Sequence, residues 1–196
     1  MTLAYGASMN ALEALSRSDA EIMARIDQLT DEHWNMSTVC GEWTVDELVR
    51  HLVSGARAAV VGLSGAAKER VVESVQSPIE GDVIVALRAA FAEQTEAMRS
   101  PGALEKTVHY PMIDMPGAQL LGFRVVDSTM HAWDLARSLG FDEGLDAELV
   151  AWAWDWIQSI APFIGRIGMF GEGPSGMLTD ADPLDRRLID LTGRRP

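Results

Sequence analysis

The stretch that decides the fold is residues 117–139, GAQLLGFRVVDSTMHAWDLARSL, which has the pattern of one long helix. Placed on a wheel at about 100° per residue, its polar side chains fall in one narrow sector. That sector holds Arg124, Asp127, His131, Asp134 and Ser138. Apolar side chains cover nearly all the rest of the surface, so most of the helix is expected to be buried. Its polar stripe must then face either water or an internal polar site.

Apolar residues at helical spacing predict further helices on both sides of this one. They cover about residues 7–29, 45–63, 80–99, 146–164 and 184–191. Between them, the pattern of residues 64–79 is ambiguous, and Gly65 and Pro78 favour a connection with room for a helical turn. Residues 107–112 are expected to form a short extended stretch, which Pro111 limits to a sheet edge.

Residues near the helix ends support these boundaries. Thr44 and Glu47 have the spacing of a capping box, which places the first residue of the second helix at Val45. Pro116 suits the first turn of the long helix, and Gly140 stands where a C-terminal capping glycine belongs. Mostly helical segments, without an internal repeat or long loops, predict an all-α antiparallel helical bundle.

Length and composition limit the possible classes of function. The 196 residues are enough for one sizeable core, and we expect a single domain over residues 1–196. A net charge of −13 argues against nucleic acid as a partner, because it repels phosphates. No apolar run approaches the roughly 18–20 residues that span a bilayer, and no secretory signal is visible. We therefore expect a cytoplasmic monomer or homodimer without a membrane partner.

Two of the polar side chains on the long helix could share a metal ion. Asp127 and His131 stand four residues apart, and are therefore neighbours on one helix face. His51, at the edge of the apolar stripe of the second helix, is the natural third ligand. Two imidazoles and one carboxylate leave coordination positions open, as catalytic sites do. The spacing alone equally allows a solvated stripe and a partly buried histidine without a metal.

Other residues are weaker candidates. Cys40 precedes a helix N-terminus, where a thiol can become reactive, but a lone cysteine is more often a small buried apolar residue. The tryptophans at 152, 154 and 156 have the spacing of core or interface anchors. His33 and His109 lie in predicted loops without a visible partner, and the arginine pairs at 186–187 and 194–195 are interpreted as solvated charge.

Two motifs carry a family resemblance. Residues 38–52, TVCGEWTVDELVRHL, resemble a signature of the metal-binding domain of mycothiol-dependent maleylpyruvate isomerase, within the DinB-like superfamily. Residues 127–137, DSTMHAWDLAR, resemble its second signature, in which an acid and a histidine four apart precede Trp-Asp-Leu-Ala. The ending at 191–196, LTGRRP, is similar to that of small members. In this chain the acid is Asp127, where the isomerase has a glutamate.

The resemblance implies an all-α DinB-like antiparallel four-helix bundle with an additional C-terminal helix and tail. It also implies that His51, Asp127 and His131 bind a divalent metal. Zinc is favoured, with nickel and iron as alternatives, and the implied thiol cofactor is mycothiol. Arg124 and Asp134 are implied to orient the substrate or to contact the ligands. The implied reactions are thiol addition, isomerisation or S-transfer on a small molecule. The alternatives are a non-catalytic metal-binding module for ligands or partners and, since the ligand set also suits Fe(II), an iron oxygenase.

Overall fold

The computed structural model describes residues 9–158, 160 and 173–196. Within these residues the chain forms helices and one antiparallel two-stranded hairpin. The helices are α1 (Ala11–Ile26), α2 (Val45–Leu63), α3 (Lys68–Gln76), α4 (Val83–Arg99), α5 (Gly117–Leu139), α6 (Ala147–Gln158) and α7 (Leu184–Leu191). The strands are β1 (Thr107–His109) and β2 (Asp114–Pro116). The all-α prediction is confirmed.

Four helices form the bundle, because α1 contacts α4 and α5, and α2 contacts the same two helices. The α3 helix packs on α2, while α6 packs on α5 and α1 and contacts α7. Two clusters of buried apolar residues make up the core, and α5 contributes to both. The polar stripe of α5 therefore lies between packed helices on much of its length, where each polar group needs a partner.

The two helices that matter most have the bounds that the sequence predicts. The α2 helix begins at Val45 behind the predicted capping box: the Glu47 amide donates to Thr44 Oγ1, and the Thr44 amide donates to Glu47 Oε2. The α5 helix covers residues 117–139, and Gly140 ends it with φ +70°. Pro116 is the N-cap residue, one position before the predicted first turn.

Three other boundaries differ from the predictions. The first helix covers 11–26 rather than 7–29, because the Asn10 side chain caps it and its last residues continue as tight turns. Residues 7 and 8 lie outside the described residues. The connection at 64–79 contains a complete helix, α3, in which only Val71 is buried, so its apolar pattern is weak. Asp82 caps α4, which therefore begins at Val83 rather than 80.

The extended stretch at 107–112 is shorter than predicted. Strand β1 ends at His109, before Pro111, and pairs with a strand, β2, that the sequence did not indicate. Of the predicted helix at 146–164, the structure describes α6 over Ala147–Gln158. Residues 159 and 161–172 lie outside the described residues, and they include most of the predicted end of this helix and the start of the loop after it. Of the helices described, none combines the length and apolar character needed to cross a membrane.

Candidate metal centre

The structure brings together the three residues that the sequence singles out as metal ligands. His51 lies on α2, and Asp127 and His131 lie one turn apart on α5, the helix that α2 packs against. Asp127 Oδ1 is 3.4 Å from His51 Nε2 and 3.4 Å from His131 Nε2. One ligand atom from each residue lies within 4.8 Å of the other two. The side chains are exposed to different degrees: 36% for His51, 23% for Asp127 and 6% for His131.

These separations fit a divalent metal ion. Bonds of about 2.0–2.1 Å in tetrahedral geometry put neighbouring ligand atoms about 3.3 Å apart. The two measured separations of 3.4 Å match that value and exceed the usual length of a hydrogen bond. Imidazole nitrogen and carboxylate oxygen are also ligand types that zinc accepts. The residues present therefore fit the metal that the resemblance implies.

Arg124 and Asp134 hold two of these side chains in place. Arg124 Nη1 donates to Asp127 Oδ2 at 2.7 Å, which leaves Oδ1 directed at the two histidines. Arg124 Nε donates to Gln94 Oε1 at 2.8 Å, and Arg124 as a whole is only 3% exposed. On the other side, His131 Nδ1 is 2.8 Å from Asp134 Oδ2. Both predicted partners thus contact the ligands rather than the solvent.

The charges of the cluster reinforce one another. Burial raises the pKa of Asp127, but His51, Arg124 and His131 outweigh it and lower the pKa well below its ordinary value. Burial likewise lowers the pKa of His131, yet Asp127, with further bonds from Asp134 and Cys40, raises it well above the usual value. Without a metal, the site is therefore a carboxylate beside a protonated histidine. A metal that binds His131 Nε2 must displace that proton, so binding should tighten as pH rises.

The cluster lines a cavity of about 410 Å³. Its wall contains the three ligand residues together with Trp43, Tyr110, Cys40, Asp134 and Arg194, and includes apolar side chains such as Met112 and Met130. The Trp43 ring lies against the His51 ring, with centroids 4.8 Å apart. The ligands thus face a partly polar cavity of small-molecule size rather than a sealed core.

Two residues of the cavity wall escaped the sequence analysis. Arg194, interpreted there as solvated charge, bonds to Asp134 with two of its nitrogens and is only 14% exposed. The interpretation as solvated charge is therefore wrong for Arg194. Tyr110 follows β1 and reaches the cavity, and burial raises the pKa of its hydroxyl. The adjacent Pro111 indicated only that a strand here lies at the edge of a sheet, so nothing local could have revealed Tyr110.

Cys40 also lies beside the ligands, partly buried. Its sulfur, one His131 nitrogen and one Asp134 oxygen lie within 4.8 Å of one another, which is a second potential set of metal ligands. Asp134 is poorly suited to that set because its two oxygens already accept bonds from Arg194 and one faces His131. The Val39 amide donates to Ser138 Oγ on α5, which fixes the loop that carries Cys40.

The remaining candidates lie away from this cavity. The three tryptophans of α6 pack against the apolar core, with Trp156 against Phe123 and the Arg187 guanidinium over the Trp154 ring. His33 bonds to Thr30, and His109 pairs with Asp114 on β2 at 3.0 Å. Both histidines therefore do have partners, which the sequence did not reveal.

Residues 15–136 match the sequence model of the family described as the mycothiol maleylpyruvate isomerase N-terminal domain. The chain belongs to this family. The match includes all three ligand residues, Arg124 and Asp134, and ends before α7. As a mycothiol maleylpyruvate isomerase N-terminal domain protein, the chain has the DinB-like helical bundle that the sequence predicts.

Two relatives and two solved structures are also similar to this chain. Two Mycobacterium tuberculosis proteins, uncharacterized protein MT0763 (strain CDC 1551 / Oshkosh) and uncharacterized protein Rv0738 (strain H37Rv), are each 28% identical over 183 residues, or 91% of each chain. The crystal structure of mycothiol-dependent maleylpyruvate isomerase is similar with a TM-score of 0.56, and that of a histidine-to-alanine mutant with 0.58. Both are 14% identical, and the similarity covers 72% of this chain and 65% of the isomerase chain. At that identity the likeness shows the fold alone.

Proposed function

We propose that this protein is a metal-dependent enzyme that uses a low-molecular-weight thiol, mycothiol or a close analogue, on a small-molecule substrate. The reaction is thiol addition, isomerisation through reversible addition, or S-transfer. The observation that carries the proposal is that His51, Asp127 and His131 meet on the wall of a cavity of about 410 Å³. Membership of the family supports the choice of thiol. Zinc is the metal that the ligand set favours, with nickel and iron as alternatives.

Each residue of the site has a defined task in this proposal. His51 Nε2, Asp127 Oδ1 and His131 Nε2 would hold the metal, which supplies Lewis acidity that keeps a bound thiol deprotonated at neutral pH. Arg124 keeps the second oxygen of Asp127 occupied. Asp134 fixes the orientation of the His131 ring. Three protein ligands leave room for an exogenous ligand, which separates this arrangement from a closed structural site.

The cavity wall supplies the contacts for thiol and substrate. Trp43 and Met112 offer apolar surface beside the ligands. The Tyr110 hydroxyl, whose pKa burial raises above its ordinary value, is protonated at neutral pH and can donate a hydrogen bond to a substrate oxygen. Arg124 is buried and bonded to Asp127 and Gln94, and so serves the ligands rather than an anionic substrate.

Thiol binding to the metal-loaded protein tests the proposal. Isothermal titration calorimetry with mycothiol, in buffers of different ionisation enthalpy, measures both affinity and proton release. We expect binding to the zinc-loaded protein, release of a proton because the thiol binds as thiolate, and tighter binding as pH rises toward the thiol pKa. The His131→Ala variant, incubated with zinc in the same way, should not bind the thiol. Equal binding to both proteins would refute the thiolate mechanism and favour the non-catalytic module.

A further inference from the structure

Arg194, in the C-terminal tail, is bonded to a buried carboxylate of the α5 stripe. Its Nε donates to Asp134 Oδ1 at 2.7 Å, and its Nη2 donates to Asp134 Oδ2 at 2.6 Å. Asp134 is fully buried, and burial alone would raise its pKa, but bonds from Arg194 and His131 lower it below the ordinary value. A bidentate pair of this kind fixes the plane of the carboxylate as well as its charge.

The fixed carboxylate in turn contacts a candidate metal ligand. Asp134 Oδ2 is 2.8 Å from His131 Nδ1, and His131 is only 5% exposed. A hydrogen bond here places the proton on Nδ1 and turns Nε2 toward Asp127 and His51. Carboxylates that accept from the outer nitrogen of a ligating histidine fix its tautomer and increase its basicity. The orientation of His131 therefore depends on how firmly Asp134 is held.

Hydrogen bonds and contacts of residues 190–194 hold Arg194 beside Asp134. The Arg194 amide bonds to the Ile189 carbonyl, and Thr192 Oγ1 bonds to the same carbonyl at 2.8 Å and contacts Met130 on α5. Asp190 on α7 accepts from the Ser175 amide at 3.0 Å, which anchors the helix to the preceding loop. All of these tail residues lie beyond the region that matches the family model.

We infer that Arg194 is a positioning residue of the metal centre, acting through Asp134 on His131, so that the docked C-terminal tail is part of the site. The inference rests on the proposed metal site. It predicts that the last turn and tail of this chain set the metal affinity without touching the metal. Removing Arg194 should weaken metal binding even though all three ligands remain.

Zinc affinity, measured by competition with a chromophoric chelator at fixed pH, tests the inference. We expect Arg194→Gln to bind zinc about tenfold more weakly. This is the lower end of the usual cost of losing a direct partner of a ligand, because Arg194 acts on His131 through Asp134. Arg194→Lys should fall between Arg194→Gln and wild type, because it retains the charge but not the two parallel bonds. The matched control is Arg195→Gln: the neighbouring arginine is 54% exposed and pairs with Asp190, so its loss should change zinc affinity less than twofold.

An Asp134→Asn background distinguishes the positioning of His131 by Arg194 from a general loss of stability. Arg194→Gln leaves Asp134 buried without its cation, which can also destabilise the folded protein as a whole. In an Asp134→Asn background that charge is absent, and Arg194→Gln should then change zinc affinity less than threefold. Imidazole ¹⁵N spectra of the metal-free protein give an independent readout, since Arg194→Gln should alter the His131 signals and Arg195→Gln should not.

The outcomes separate the inference from the proposed function. Wild-type zinc binding with an unchanged affinity in Arg194→Gln would overturn the inference and leave the proposed function intact. An equal loss with and without Asp134 would also overturn it, because Arg194 would then act by another route. A wild-type protein that binds no zinc would refute the metal site, and this inference with it.

Discussion

Gly55 on α2 should be intolerant of even the smallest side chain, because it lies against the guanidinium of Arg124. A Cβ built at Gly55 would be 3.0 Å from Arg124 Cζ and closer still to Nη1. Ordinary contacts need about 3.5–4.0 Å, so the guanidinium would have to retreat by about 1 Å. Nη1 is also the atom that donates to Asp127 Oδ2 at 2.7 Å, and a shift of that size is enough to break a hydrogen bond. Gly55→Ala therefore perturbs the metal ligand through its partner.

The direction of the stability change distinguishes a clash with Arg124, which destabilises the protein, from helix propensity, which stabilises it. An alanine in the interior of a helix stabilises it by about 1 kcal/mol relative to glycine. Overpacking costs about 1–3 kcal/mol, and losing a bond to a charged group about 1.5–3 kcal/mol. We therefore expect Gly55→Ala to lower the free energy of unfolding by about 1.5–5 kcal/mol, measured by urea denaturation followed by circular dichroism.

A double-mutant cycle assigns the cost to Arg124. In an Arg124→Met background the clash and the bond to Asp127 are both absent, so Gly55→Ala should cost less than about 1 kcal/mol, or even stabilise the protein. A Gly55→Ala variant that is more stable than wild type would refute the reasoning, since helix propensity alone would then decide. The same loss in both backgrounds would place the clash elsewhere.

Two further predictions concern stability and helical structure. Burial raises the pKa of Asp19 to about 7, although Arg124 and Ser128 oppose the shift. The folded state therefore favours the protonated form: the stabilisation is complete below the unfolded pKa near 3.8 and is lost as pH rises toward 7. Wild type should lose about 1.4 kcal/mol per pH unit in that window relative to Asp19→Asn, and parallel stability–pH curves for the two proteins would contradict this. His51→Ala should lose metal yet keep its helical circular dichroism at room temperature, because a core of this size needs no metal to fold; global unfolding would instead make the site structural.

The sequence predicted most of what local patterns determine. The bounds of α2 and α5 followed from a capping box, a C-terminal glycine and a nearly continuous apolar surface. The apolar periodicity of α5 left one polar stripe, and the structure places His51 beside two residues of that stripe, Asp127 and His131. These features depend on neighbours within a turn or two of helix, which periodicity and spacing record directly.

The features that the sequence did not predict depend on distant parts of the chain. Arg194 is 60 residues from Asp134, and only the docking of the tail after α7 removes it from solvent. Tyr110 reaches the cavity because β1 pairs with β2, a strand too short to have a pattern of its own. The α3 helix buries one side chain, so its apolar pattern was too weak to separate it from a connection. In each case tertiary packing decides a property that composition and spacing leave open.

The central claim is that His51, Asp127 and His131 form a metal site, and metal analysis tests it most directly. The protein should be purified without an affinity tag, loaded with zinc, desalted and analysed by inductively coupled plasma mass spectrometry, beside His51→Ala treated identically. The account predicts about one divalent ion per chain in the wild type and almost none in His51→Ala. That variant lacks the imidazole nitrogen that lies 3.4 Å from Asp127 Oδ1 in the wild type. A wild-type protein without bound metal, or a His51→Ala variant that retains all of it, would contradict the account.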